Sequence, residues 1–355
     1  MVMDEHRALF DEAGFTDDTD QSLLILMSFL CSGGDTRNGI DALDFAQRLR
    51  HWVEFGFRPL DKLAVDVGNT VSAVVNDPDF LNDPLTTAAR IWVTGGRKNA
   101  ANGAVMRTCV IGALFFNKMD QLYKSAITCA ATTHADPRCL VSCTIASAII
   151  AALIRDEIHT EEDIKTVIKD AVKPVASRSP QIRPEQLEEL EKLVWMDSLA
   201  DFKLDEVRSI GYTFKCLATG VWALRKGLVA KNTIQTPNAP SLASTFERLI
   251  TELTMAGGDS DTNAAVAGSM LGALFGHSNL PSEWLQDLNG GEWLLKKADA
   301  AAYLILREGE PYDHKTDQDN LVDGGKGDMS KQELDAKWAK VRAIQHRRMF
   351  QSTSR

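Results

Sequence analysis

Apolar residues recur every third or fourth position, or gather into long runs, and almost nowhere alternate as they would along a half-buried strand. The pattern predicts an all-α protein, a multi-helix bundle. Residues 23–31 form an apolar run broken only by Ser28, and 41–57 carries Leu43, Phe45, Ala46, Leu49 and Trp52 on one helical face. A short helix at 65–75 lies between Pro59 and the prolines at 78 and 84. Further helices are predicted over 86–93, 104–116, 119–133 and 138–154. Residues 160–172 and 184–198 read as charged, solvent-facing helices, with 173–183 between them as a mobile surface loop.

Another helix is predicted at 211–224, then a loop over 226–241 with Pro237 and Pro240, then helices at 245–255 and 292–305. Residues 307–327 are polar, acidic and glycine-containing, which predicts loop or disorder. Ser330-x-x-Glu333 is a capping box for a last amphipathic helix carrying Leu334, Trp338, Val341 and Ile344. The domain organisation that follows is one all-α domain over 1–306, a polar loop at 307–329, and a C-terminal helix and tail at 330–355.

The 355 residues, 44% apolar and 25% charged, suffice for one large core. A formal charge of −10 argues against a nucleic-acid surface, and His346-Arg347-Arg348 is too short a basic run to reverse that. The charged first ten residues do not read as a signal peptide, and no apolar run reads as a membrane span. Six cysteines without a CxxC pair suggest reduced core thiols, hence an intracellular, soluble and most simply cytoplasmic protein.

Candidate chemistry begins at Gly257-Gly258-Asp259-Ser260-Asp261-Thr262-Asn263, where two acids and two hydroxyls stand at the mouth of an apolar helix. The glycines permit positive φ and a sharp entry. Ala264, Gly268, Gly272 and Gly276 share one face that would let another backbone come close. An N-cap explains one such acid; two acids with flanking hydroxyls also suit a hard cation. Thr16-Asp17-Asp18-Thr19-Asp20 repeats the form before the run at 23–31, and one cap cannot use three mutually repelling aspartates. Gly33-Gly34-Asp35-Thr36 follows an apolar run and reads as a helix C-terminal turn instead.

If the two helices pack side by side, four carboxylates and two threonine oxygens converge. An oxygen-only donor set favours Mg²⁺, Mn²⁺ or Ca²⁺ over Zn²⁺, and that much charge calls for two ions. Asn102-Gly103-Ala104, in a glycine-bearing loop before an apolar helix, reads either as a turn or as an anion-binding helix start. Arg107, one turn further in, is a structural charge or a phosphate clamp. His134, between two helices in Thr133-His134-Ala135-Asp136-Pro137, is a structural histidine by default, though placed where functional groups concentrate.

Taken in order, Thr16-Asp17-Asp18-Thr19, Asn102-Gly103-Ala104-Val105-Met106-Arg107, Thr133-His134-Ala135-Asp136-Pro137, Gly211-Tyr212 and 257–263 resemble the ADP-ribosylglycohydrolase family, which includes the dinitrogenase-reductase-activating glycohydrolases. The resemblance spans 16–276. It implies an orthogonal all-α bundle binding two Mg²⁺ (or Mn²⁺) through Thr16, Asp17, Asp18, Asp259, Asp261 and Thr262. The substrate it implies is ADP-ribose on a protein side chain or a small acceptor. Asn102, Gly103, Ala104 and Arg107 would line the ribose and diphosphate pocket, His134 would lie beside the nucleotide, and Tyr212 at the adenosine end. Hydrolysis at C1″ of the distal ribose would use one of Asp17, Asp18, Asp259 or Asp261 to take the proton of the attacking water.

The resemblance departs at the front. Members of the family begin with a glycine-rich Gly-Asp-Ala helix and a functional glutamate, whereas 15 residues precede Thr16 here and Glu5 and Glu12 fit neither pattern. Three readings therefore stand at this point: an active metal-dependent hydrolase, an ADP-ribose-binding pseudoenzyme that keeps the metal site, and a scaffold whose acids are only caps.

Overall fold

The computed structural model describes residues 7–35, 37–178, 180–236 and 239–353; Glu5, Thr36 and Pro237 lie outside them. Among the described residues the chain is all-α, with two isolated β-bridges, Phe57 to Lys62 and Ala101 to Tyr212, and no strand. The helices are α1 Asp17–Cys31, α2 Ala42–Phe55, α3 Asn69–Val75, α4 Pro84–Thr94, α5 Val105–Leu114, α6 Met119–Ala131, α7 Pro137–Ile154 and α8 Glu161–Ala176. They continue as α9 Pro184–Val194, α10 Thr213–Thr233, α11 Leu242–Met255, α12 Ser260–Phe275, α13 Ser282–Asp287, α14 Gly291–Leu306 and α15 Lys331–Thr353.

The bundle is built around α7, whose side chains are buried without a break from Cys139 to Leu153. It is the one helix among the described residues long and apolar enough to cross a membrane, and here it fills the protein core instead. Its neighbour α5 comes very close, because a Cβ on Gly112 would stand 2.3 Å from the Ser147 carbonyl oxygen. The Ser147 hydroxyl then reaches across and donates to Thr108 O at 2.9 Å.

Helices α10 and α12 pack as closely, but the glycines responsible are not those expected. A Cβ on Gly220 would lie 2.8 Å from Val266, and one on Gly227 2.6 Å from Leu271, so α10 supplies the close approach. The small-residue face of α12 is left open: Gly268 has only distant neighbours, and Gly272 and Gly276 have none within 4 Å. Val266, Ala267, Met270, Leu271 and Leu274 form its buried face.

Two predicted loops are shorter than expected, and a third is loop but held in order. Helix α8 runs through Pro174 to Ala176, held by buried Ala171 and Val175, so less of 173–183 is loop than expected. Helix α10 continues to Thr233, because Gly227 and Leu228 face the core while the lysines at 226 and 231 face away from it. Residues 307–329 form an ordered strap. Lys297 binds Asp317 at 2.6 Å and Asp319 at 3.1 Å, Trp293 donates to Asp319 at 2.8 Å, and Arg48 donates to Asn320 O at 2.8 Å. The capping box at Ser330 and Glu333 is present and opens α15.

Candidate active site

The entrances of α1 and α12 face each other. Thr16 is the N-cap of α1 and Asp259 that of α12, yet neither side chain caps its helix. The Thr16 hydroxyl donates sideways to Asp18 Oδ2 at 2.8 Å, and Asp259 Oδ2 accepts from Asn102 Nδ2 at 2.9 Å. Elsewhere acids and hydroxyls do cap: Asp41, Asp83, Asp136, Thr160 and Ser241 each accept from a first-turn amide. The two clusters are thus withheld from the job that their residue types commonly do.

What holds Asp259 in place is the turn before it. Gly257 and Gly258 have φ of 83° and 71°. A Cβ on Gly258 would also meet the Leu204 carbonyl oxygen at 2.3 Å, so only glycine fits there.

The acids act on one another across the two clusters. Burial raises the Asp18 carboxyl well above the usual range, Asp261 and Asp259 raise it further, and the Thr16 and Thr262 hydroxyls draw it part-way back. Asp17 is raised by burial first, then by Asp18, Asp66 and Asp261. Asp259 is raised by burial and by Asp261, against the hydrogen bond from Asn102. Asp18 is 2% exposed, and its Oδ1 has no hydrogen-bond partner. Asp20 is tied elsewhere, accepting from Lys62 Nζ at 2.7 and 2.8 Å and from Trp52 Nε1 at 3.2 Å, though its charge still raises Asp17 slightly.

Among the described residues no three His, Cys, Asp or Glu side chains already close on one point. The acids line a mouth, not a finished coordination shell. The donor set is nonetheless all oxygen, and a buried carboxylate oxygen without a partner, amid like charges, is a place where a hard divalent cation lowers the energy.

The Asn102 turn forms the adjoining wall. Asn102 N donates to Gly211 O at 2.9 Å, and Thr213 N to Ala100 O at 3.0 Å, which ties the turn to the start of α10. Gly211 has to be small here, because a Cβ would lie 3.3 Å from Asn102 Oδ1 and 3.5 Å from Asp259 Oδ2. Gly103 faces His134, whose Cε1 and Nε2 would each stand 3.1 Å from a Cβ at that position. His134 is 3% exposed, and burial and the Arg107 charge lower its pKa to about 3, so it is neutral. Tyr212 lies half-buried, its hydroxyl donating to Glu189 at 3.0 Å and its ring beneath Arg138.

One sequence candidate does not reach the pocket. Arg107 is 0% exposed and donates to Gln21 Oε1 at 2.6 Å, Cys129 O at 2.8 Å and Thr133 Oγ1 at 2.6 Å. It stands behind the site as a buried structural cation, and a phosphate in the mouth is out of its reach.

With this geometry in hand, the family model described as ADP-ribosylglycohydrolase matches residues 3–313. The chain belongs to the ADP-ribosylglycohydrolase family. It is 24% identical over 294 residues to the ADP-ribosylarginine hydrolase Tri1 of Serratia proteamaculans, a match covering 83% of this chain and 68% of that protein. To the protein of the same name from Pseudomonas putida it is 20% identical over 284 residues, covering 80% of this chain and 65% of that one. The chain thus spans about two thirds of the length of these curated relatives. A solved structure titled ADP-ribosylglycohydrolase-related protein complex shares the fold, with a TM-score of 0.55 at 22% identity over 82% of each chain.

Two residues of this glycohydrolase fold were not singled out by the sequence reading. Gln21 donates from Nε2 to Asp17 Oδ2 at 3.0 Å, and Asp66, on the loop before α3, adds its charge to the environment of Asp17. A signal existed for Asp66: an aspartate two residues ahead of a glycine at a helix start. Beside Asp18, a groove of about 590 Å³ runs between α1, α5, α12 and α14, lined mostly by apolar side chains such as Leu26, Val110, Ala273 and Ala301.

Proposed function

We propose that the protein hydrolyses the bond between C1″ of the distal ribose of ADP-ribose and the guanidinium of an arginine side chain, releasing ADP-ribose. The observation that carries this reading is the meeting of two uncapped acid-and-hydroxyl helix entrances beside the Asn102 turn. The arginine acceptor is suggested by the names of the two Tri1 relatives. A mouth in which the charges of Asp66 and Asp261 both bear on Asp17 also suits a cationic acceptor.

Thr16, Asp17, Asp18, Asp259, Asp261 and Thr262 would hold two Mg²⁺ (or Mn²⁺) ions. When bound, the ions supply positive charge that orients the ribose diol and acidifies a water. One of Asp17, Asp18, Asp259 and Asp261 would accept the proton of the attacking water, and the neighbouring carboxylates would stabilise the positive charge developing on the ribose. Gly103 and Ala104, in the turn that opens α5, would offer backbone amides to the diphosphate, the Asn102 amide being given to Gly211 O. His134, neutral, is a donor or acceptor beside it, and the Tyr212 ring flanks the adenosine end. All six cysteines are thiols, which fits an intracellular, reducing compartment.

The test is release of free ADP-ribose, with and without Mg²⁺, from a panel of ADP-ribosylated arginine, serine and nucleotide substrates. Mg²⁺-dependent release from arginine alone is expected; release from serine in preference to arginine overturns the acceptor. A second reading, ADP-ribose binding without turnover, draws on the groove beside Asp18, whose lining holds no carboxylate but Asp18. Under it, the same panel gives no release while calorimetry still shows ADP-ribose binding.

A further inference from the structure

Behind the mouth, four side chains form a continuous hydrogen-bond relay, of which the catalytic reading uses only His134. Gln21, Arg107, Thr133 and His134 are between 0% and 3% exposed. Gln21 lies on α1, Arg107 on α5, and Thr133 and His134 on the α6–α7 connection, so the relay crosses the bundle. Gln21 Nε2 donates to Asp17 at 3.0 Å, and its Oε1 accepts from Arg107 at 2.6 Å. Arg107 also donates to Thr133 Oγ1 at 2.6 Å, and that oxygen is 2.8 Å from His134 Nδ1.

The direction of each bond follows from what the groups can do. A guanidinium only donates, so it occupies an acceptor site on Thr133. Among the described residues Nδ1 is the one remaining partner for the Thr133 hydroxyl proton. Nδ1 therefore accepts, and the proton of the neutral ring sits on Nε2. That nitrogen is buried without a partner, and the ring edge bearing it presses against Gly103 in the Asn102 turn. A buried N–H left unpaired costs free energy that a ligand oxygen recovers on binding. Arg107 also cannot be replaced by a simple apolar filler, because it lies over the Phe45 ring at 5.1 Å and bonds Cys129 O.

We propose that Arg107 is a positioning residue that joins the two halves of the site: through Thr133 it fixes His134 as an Nε2–H donor aimed at an oxygen of the bound ADP-ribose, and through Gln21 it is anchored to Asp17. The inference rests on the ADP-ribose reading for the identity of the ligand, but not for the relay itself. On sequence alone Arg107 stands between a structural charge and a phosphate clamp. The geometry gives it a third role, acting on ligand through a histidine.

Arg107→Met would leave several buried acceptors unpaired and is a poor first variant, so the test uses Thr133→Val, Thr133→Ser and Gln21→Met in the full chain. Nitrogen-15 NMR of the imidazoles, with His134 assigned by its loss in His134→Gln, reads the tautomer directly. Expected is an Nε2-protonated His134 in the wild type and in Thr133→Ser, a mixture of tautomers in Thr133→Val, and a partial shift in Gln21→Met. ADP-ribose affinity should fall about tenfold in Thr133→Val, the equivalent of one hydrogen bond, and recover in Thr133→Ser. An Nδ1-protonated wild type, or a tautomer indifferent to Thr133→Val, overturns the relay. A wild type that does not bind ADP-ribose overturns the functional reading, while the tautomer measurement still decides the relay.

Discussion

Asp136 and Asp259 occupy the same place in the chain's grammar, each the N-cap of a long apolar helix, and the protein treats them in opposite ways. Asp136 is saturated: it accepts from Arg138 N at 2.9 Å, from the Arg138 guanidinium at 2.9 and 2.8 Å, and from Trp92 at 3.1 Å. Asp259 has the amide of Asn102 and otherwise faces acids and hydroxyls, with its own helix left uncapped. A saturated carboxylate fixes α7 and, through Arg138 to Lys98 O, the loop that leads to Asn102. An unsaturated one beside Asp18 and Asp261 stores unfavourable charge, which a bound cation would relieve. The difference between scaffold and site is thus a difference in how many donors each acid has been given, not in residue type.

Substitutions should separate the two. Asp259→Ala is expected to lower turnover of an ADP-ribosylated substrate by about a hundredfold or more, with little change in the thermal midpoint of the metal-free protein; unchanged kcat would place the chemistry elsewhere. Asp136→Ala does the reverse. It strands the Arg138 guanidinium and the Trp92 N–H, and denaturant unfolding should show a loss of about 3 kcal/mol, with turnover per folded molecule much less affected.

Asp18→Asn sharpens the electrostatic half of the contrast. An aspartate raised in the folded state binds its proton more tightly there than in the unfolded chain. Stability therefore falls as pH rises from the ordinary value of 3.8 through the raised one. Without divalent cations the wild type should lose stability from about pH 4 to neutrality, and Asp18→Asn should show a shallower slope and a gain of about 1–2 kcal/mol at pH 7. A steeper slope in the variant would mean that Asp18 is not the strained acid. Smallest of all, Thr160→Ala, at an ordinary capping box on α8, should cost about 1 kcal/mol and leave turnover alone.

Most of the bundle was legible because burial writes itself as periodicity: the runs that became α1, α5, α7 and α12 needed no other information. Errors fell where a local breaker met a distant partner. Pro174 argued for a loop, but Val175 had a core to enter, and the lysines of late α10 hid the glycines that α12 packs against. Likewise 307–329 reads as loop or disorder; it is loop, and nothing in its composition reveals that Lys297, Trp293 and Arg48 will hold it in order.

At the site, the acids were legible as two clusters of one form. The physical reason that Asp20 stands apart was not: its partner Lys62 lies 42 positions along the chain. The placing of Arg107 was equally hidden, since its partners come from Gln21, Cys129 and Thr133 on separate elements.

The last helix, α15, follows the strap and yet has no buried side chain at its described positions. Arg348 holds it to the chain's beginning through Phe10 O, Ala8 O and Asp11, and Lys337 pairs with Asp61. A helix held mainly by charge and surface contact opens at a small fraction of the energy needed to unmake α7. In hydrogen exchange, its amides would therefore trade with solvent through a salt-sensitive local opening, long before the amides of α7, whose exchange reports unfolding of the whole molecule.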